Sequence, residues 1–263
     1  MGIFDTHTHF NDGKYKKEGI EVIEMIEEAK QNGVTNFCCV GFDVNSSKEA
    51  VRYAFIHDEV FCAVGIHPDV AHTTKSKDLK EIELLANSNK VVAIGEIGLD
   101  YYYSNEYKCS QIKILKQQIK IALENDLAIM LHIRDKDDSE NAYNDVLEIL
   151  KCMDVKKAVV HCFTRGYELA KKFTQNGYLI SVPGVVTFNN AQKLQEAVKH
   201  LSLNDIVVET DAPYLTPVPK RGKINTSKEI VYIIEKIAKL KNLSKNDVID
   251  ATTRNAKKIF NIL

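Results

Sequence analysis

Short runs of β-branched and other apolar residues recur along the chain, separated by longer stretches whose apolar positions return every three or four residues. These are the periods of strands buried in a sheet and of helices with one buried face. Strands are predicted near Ile3–His7, Thr35–Val40, Val60–Ile66, Val91–Glu96, Ala128–Ile133, Ala158–Cys162, Tyr178–Val182 and Ile206–Thr210. Between them lie helical segments such as Gln111–Glu124, where Ile112, Leu115, Ile119, Ala122 and Leu123 share a face. Asn32-Gly33 and Asn176-Gly177 stand where a helix should stop and a strand begin, as glycine C-caps do. After Thr226 the pattern stays helical, with Ser244 and Asp247 spaced as a capping box.

Alternation of strand and helix predicts a parallel sheet with crossover helices. Eight such units in one uninterrupted chain favour a closed (β/α)8 barrel of the TIM type over an open doubly wound sheet. No linker, repeat or change of composition divides residues 1–263, which are expected to form a single domain.

Composition changes this picture little. Hydrophobic residues at 44% and charged residues at 27% are those of a packed globular chain and exclude disorder. The net charge of −1 excludes a protein that coats nucleic acid through bulk charge, but not an enzyme that engages it locally. The six cysteines form no CxxC pair, and Cys38, Cys39 and Cys62 lie in apolar runs, so reduced, structural thiols are expected. No apolar run approaches the ~20 residues that span a bilayer, and no basic-then-apolar leader is visible. The expectation is a cytoplasmic protein with no membrane partner.

The candidate chemistry is positional. His7, His67, Glu96, His132, His161 and Asp211 each fall at or just past the end of a predicted strand. In a (β/α)8 barrel those ends meet on one face, where such enzymes keep their active sites. His7 and His9 are two apart on an extended strand, so both rings point the same way. Asp5 shares that face, and either orients one of these rings from behind or merely begins the strand. Glu96 interrupts an apolar strand between Gly95 and Gly98, and a buried carboxylate needs a cation or strong donors. The glycines favour a metal ligand over a plain salt bridge, because they let other groups approach closely. With His132 and His161 on the next two strands, Glu96 makes a cluster suited to a borderline metal. His67 either ligates or donates to substrate, and the second role is favoured. His57, His72 and His200 read as surface residues.

In these residues the sequence resembles the TatD family of metal-dependent deoxyribonucleases, within the amidohydrolase-like barrels. The matching stretches are Asp5–His9, Gly65–Pro68, Ala93–Tyr102, Leu131–Arg134, Val160–Phe163, Tyr178–Phe188, Glu209–Leu215 and Pro217–Lys223, with Thr252–Ala256 resembling the closing helix. They span essentially the whole chain in order. The resemblance implies that His7, His9 and Asp211 bind one metal, that His132 and His161 bind a second, and that Glu96 bridges both. It places His67, Asp100 and Arg134 around the substrate. One departure stands out: where the family usually carries Arg-Asn-Glu-Pro after the Arg221-Gly222-Lys223 run, this chain has Ile224-Asn225-Thr226-Ser227.

The expected activity is hydrolysis of phosphodiester bonds in DNA, from a strand end, by a water that two divalent cations activate. Glu96 and Asp211 are the candidate catalytic groups, Asp211 as acceptor of the water's proton. Arg134, His67, Arg221 and Lys223 are candidate phosphate contacts, although a basic run such as 219–223 is usually solvated surface. The alternative is a metal-dependent esterase or deacylase acting on an aminoacyl or other carbonyl ester. A non-catalytic binding barrel fits less well, because every ligand position is filled. An open-sheet nucleotide binder lacks its glycine-rich turn. The donor set suits zinc, manganese or iron, whereas the resemblance implies magnesium.

Overall fold

The computed structural model describes residues 2–103, 106–136 and 139–262. Eight strands follow one another: β1 (Ile3–Thr8), β2 (Val34–Val40), β3 (Val60–Val64), β4 (Val91–Asp100), β5 (Ala128–Arg134), β6 (Ala158–Val160), β7 (Leu179–Val182) and β8 (Ile206–Val208). Each strand pairs in parallel with its successor in the chain. The ring closes just beyond the ends of β1 and β8, where Asp211 N donates to His7 O (2.9 Å) and His9 N to Ala212 O (2.8 Å). The chain adopts the predicted (β/α)8 barrel.

The helices on its outside are α1 (Gly13–Lys17), α2 (Val22–Gln31), α3 (Val44–Ile56), α4 (Ser76–Ala86), α5 (Lys108–Glu124), α6 (Asn141–Cys152), α7 (Tyr167–Thr174), α8 (Gln192–His200), α9 (Ile230–Lys241) and α10 (Lys245–Ile259). Local chemistry sets their ends. Asp43 caps α3 by accepting from Ser46 N (2.7 Å), and Ser244 and Asp247 form the predicted capping box of α10. Gly33 and Gly177 adopt φ of +87° and +81° after α2 and α7, a region open to glycine and costly for most other residues. No helix among the described residues is long and apolar enough to cross a membrane.

Alternate strand residues enter two buried clusters, as a two-residue period requires. Phe37, Cys39, Cys62, Ile94, Leu131 and Val160 join the strands to helical residues such as Ile26, Ala50 and Leu115. Phe4, Cys38, Ala63, Ala93, Met130, Val159 and Val207 form a smaller cluster that Ala256 and Phe260 complete. All six cysteines are free, with Cys38, Cys39 and Cys62 buried.

The regular ladders of β3, β6 and β8 stop two residues earlier than the sequence pattern predicts. Beyond β6 and β8 the chain turns sharply: Cys162 and Asp211 take φ of +48° and +52°, where non-glycine residues are strained. The pairing is given up where the functional side chains begin.

Candidate metal centre

Glu96 owes its position to an irregularity in β4. Ile94 pairs with Ile129 and Ile97 with Leu131, so Gly95 and Glu96 together oppose the single residue Met130. Such a bulge re-aims a side chain, and Glu96 N leaves the ladder to donate to Gly41 O (2.8 Å). Glycine is needed on either side. A Cβ at Gly95 would lie 2.4 Å from Met130 Cβ, and one at Gly98 would lie 1.7 Å from His132 O.

Around Glu96 the strand ends converge. Its Oε1 is 2.7 Å from His132 Nδ1, 2.8 Å from His161 Nε2 and 3.7 Å from His67 Nε2. Its Oε2 is 3.7 Å from His7 Nε2 and 3.9 Å from His9 Nε2. Asp211 Oδ1 lies 3.7 Å from His7 Nε2 and 3.4 Å from His9 Nε2. The rings of His7 and His161 are stacked, with centroids 3.9 Å apart.

Burial opposes charge on every imidazole here. It prevails at His7, whose pKa falls well below the ordinary value, with His161 adding repulsion. It also prevails at His67, pulled down to about 3, where His132 adds repulsion. At His132 burial is outweighed by Asp100 and Glu96, and the pKa rises to about 9. At His161 it is outweighed by Glu96 and Glu209, and at His9 by Asp211 and Glu96, so both rise. Burial would raise Glu96, but His161 and His132 hold it well below the usual carboxylate range.

These donors suit a cation. His9 Nδ1 lies 2.9 Å from Val40 O, which can only accept, so in the neutral ring Nδ1 carries the hydrogen and Nε2 is bare. That bare nitrogen stands 3.1 Å from Nε2 of His7. Ligands ~2.0–2.1 Å from one tetrahedral ion stand roughly 3.3 Å apart, close to this spacing and to that of Asp211. Among the described residues three overlapping groups could hold a metal ion: His7, His9 and Asp211; His7, Glu96 and His161; and His67, Glu96 and His132. His161 thus shares a group with His7 rather than with His132, and His67 stands beside possible ligands.

Other sequence candidates are placed as follows. Arg134 lines the cavity above the cluster, with its guanidinium 3.9 Å over the Tyr102 ring. Asp100 stands behind His132, 3.1 Å from Nε2, and does not line the cavity. Arg221 lies outside the lining, 3.9 Å over the Phe188 ring. Asp5 bonds Thr210 N (3.0 Å) and Thr210 Oγ1 (2.6 Å), so it fastens β1 to the end of β8 and touches no imidazole. In the departing segment, Asn225 is buried and donates to Thr210 O and Tyr214 O. His72 and His200 are exposed and His57 is partly buried, all away from the cavity. Sequence reasoning missed Arg165 and Lys193, which line the cavity, and Glu209, fully buried beside His161. Glu209 gave the signal that singled out Glu96, a carboxylate at the end of an apolar run. The two cations gave none.

The model of the family described as TatD related DNase matches residues 4–261. The chain belongs to that family. A TatD-type relative, the uncharacterized metal-dependent hydrolase YabD of Bacillus subtilis, is 37% identical over 99% of both chains. The uncharacterized metal-dependent hydrolase YcfH of Escherichia coli is 33% identical over all of this chain and 97% of its own. In structure, the TatD homologue YjjV of Escherichia coli superposes with a TM-score of 0.90 at 25% identity, over 99% of this chain and 98% of its own. This TatD protein is a metal-dependent hydrolase, and its clustered histidines and carboxylates are able to bind metal.

Proposed function

We propose that this barrel hydrolyses phosphodiester bonds in DNA, working inward from a strand end. The observation that carries the reading is the polarity of the cavity over the cluster, about 1010 Å³ in volume. Outside the cluster, its acidic residues Asp12, Asp43 and Asp69 follow β1, β2 and β3, whereas Arg134, Arg165 and Lys193 stand at or after β5, β6 and β7. Among the described residues the one lining carboxylate on that second side, Asp135, is taken up by the Ala142 amide of α6. Asp12 and Asp43 cap α1 and α3, so their charge already serves helix N-termini. A polyanion entering the cavity is drawn to the side of β5 to β7, and the membership in a DNase family makes nucleic acid the fitting polyanion.

In this reading His7, His9 and Asp211 would hold one divalent cation, His132 and His161 would hold a second, and Glu96 would serve either. Bound cations supply Lewis acidity, making water nucleophilic at neutral pH and stabilising charge on the reacting phosphate. Asp211, at the rim of the cluster, accepts the proton of the attacking water. His67, neutral because burial holds its pKa down to about 3, donates to a phosphate oxygen without repelling a cation. Arg134 and Arg165 hold neighbouring phosphates. Zinc and manganese suit the four imidazoles better than magnesium does.

The test is a metal analysis of purified protein, combined with digestion of 5′- and 3′-labelled single-stranded DNA with zinc, manganese or magnesium. Aminoacyl and p-nitrophenyl esters are assayed in parallel. The expected result is two metal equivalents and stepwise shortening from one end. Cleavage of the carboxylic esters with DNA left intact would overturn the reading in favour of a deacylase.

A further inference from the structure

Glu209 takes no part in the chemistry described so far, yet its carboxylate is fully buried, where an uncompensated charge is costly. Its oxygens are fixed from two sides: Oε1 accepts from Cys162 N (2.5 Å), and Oε2 accepts from Ser181 Oγ (2.5 Å). The ionisable group facing it is His161, whose buried Nδ1 lies 3.3 Å from Oε1, at ion-pair distance though off the line of a hydrogen bond, and has no hydrogen-bond partner among the described residues. The opposite nitrogen of the same ring, Nε2, points at Glu96 and the cavity. We propose that Glu209 is a positioning residue that keeps the hydrogen of His161 on Nδ1, so that Nε2 presents its lone pair to a divalent cation beside Glu96.

The alternative tautomer is unfavourable for a geometric reason. A hydrogen on Nε2 alone would leave the bare Nδ1 facing a carboxylate oxygen at 3.3 Å, two buried acceptors turned on one another. It would also place the hydrogen where a cation must bind. The carboxylate cannot swing away, because the Cys162 amide and the Ser181 hydroxyl hold it. The left-handed turn at Cys162 is what aims that amide back at Glu209. A carboxylate behind a metal-binding imidazole also raises its basicity as a ligand.

This proposal rests on His161 being a metal ligand, and metal binding rather than turnover tests it. In Glu209→Gln the shape stays and the charge goes. Its affinity for zinc at the weaker-held equivalent, measured by competition with a chromophoric chelator, should fall about 10- to 100-fold. Glu209→Asp should recover part of the loss, and circular dichroism should show both variants folded. Should Glu209→Gln not fold, the parent protein still decides the matter. Long-range ¹H–¹⁵N spectra of its zinc-loaded form should show His161 protonated at Nδ1. Parent-like zinc affinity in folded Glu209→Gln, or a His161 metallated through Nδ1, would overturn the role of Glu209 while leaving the metal reading standing. A parent protein that takes up no metal would end both.

Discussion

The histidines on β1 and those on β5 and β6 face the same glutamate but are held from behind in different ways. His9 leans on the carbonyl of Val40, and His7 Nδ1 has no hydrogen-bond partner. His132 is backed by a hydrogen bond to Asp100, and His161 Nδ1, which like His7 Nδ1 makes no hydrogen bond among the described residues, has the Glu209 carboxylate at ion-pair distance. A carbonyl orients a ring without adding charge, whereas a carboxylate also draws a proton to it. His9 has a raised pKa as well, but there burial is offset by Asp211 and Glu96, which stand in front of the ring. The same residue type thus serves two arrangements. His7 offers a lone pair at neutral pH, and the β5–β6 pair must first give up protons.

The largest test of this contrast is Glu96→Gln, because among the described residues Glu96 is the carboxylate that lies within 4 Å of histidines of both pairs. Both metal equivalents should weaken, and hydrolysis of a DNA oligonucleotide should fall by at least about 10²–10⁴-fold. Two retained metals with near-normal turnover would dissolve the two-sided picture. Next, Asp211→Asn should weaken the β1 side alone and cut turnover about 10²-fold or more, since the proton acceptor goes with it. Equal weakening of both equivalents would show that the sides are not separable.

A smaller effect is expected at His67, which stands beside the cluster in the third group able to hold a metal. His67→Ala should keep both metals and lower kcat about 10-fold or more, as loss of a phosphate donor does. A lost equivalent would move His67 among the ligands.

The smallest effect is one of pH on metal-free protein. The proton on His132 stabilises the fold in full below its unfolded pKa of 6.5, and this contribution disappears as pH rises through about 9. Asp5, raised to about 7 by burial, acts in a lower window, its contribution fading between 3.8 and 7. Above pH 7 the decline therefore reports the histidines whose pKa is raised, His132 and His161 together with His9. Melting temperature in chelator should drop a few degrees between pH 7 and 9.5, and the zinc-loaded protein should be spared. A flat profile in chelator would mean the protons are not shared as described.

How legible all this was depends on which interaction sets each feature. Strand and helix alternation is a matter of local periodicity, and it located all eight strands. The ladder ends at β3, β6 and β8 were not legible, because turns such as those at Cys162 and Asp211 arise from tertiary bonds. The residues of the cluster were visible as polar interruptions at strand ends. Which nitrogen faces which oxygen was not, since that follows from the bulge at Gly95-Glu96 and from groups behind the rings. Asp5 shows the limit well. It shares a strand face with His7 and His9, but its bonds go to Thr210, 205 positions along the chain. Arg221 is a phosphate candidate by sequence position, and its place over the Phe188 ring, outside the cavity lining, follows from the fold and not from the local sequence.

The seam that Asp5 and Thr210 fasten has a consequence for how the protein is made. A ribosome delivers His7 and His9 about 200 residues before Asp211. Until β8 emerges and docks beside β1, the group formed by those three residues does not exist, so a chain ended short of β8 lacks one of the groups able to hold a metal ion. Closing the ring and assembling that group are one event, and a nick that releases the last strand would undo both.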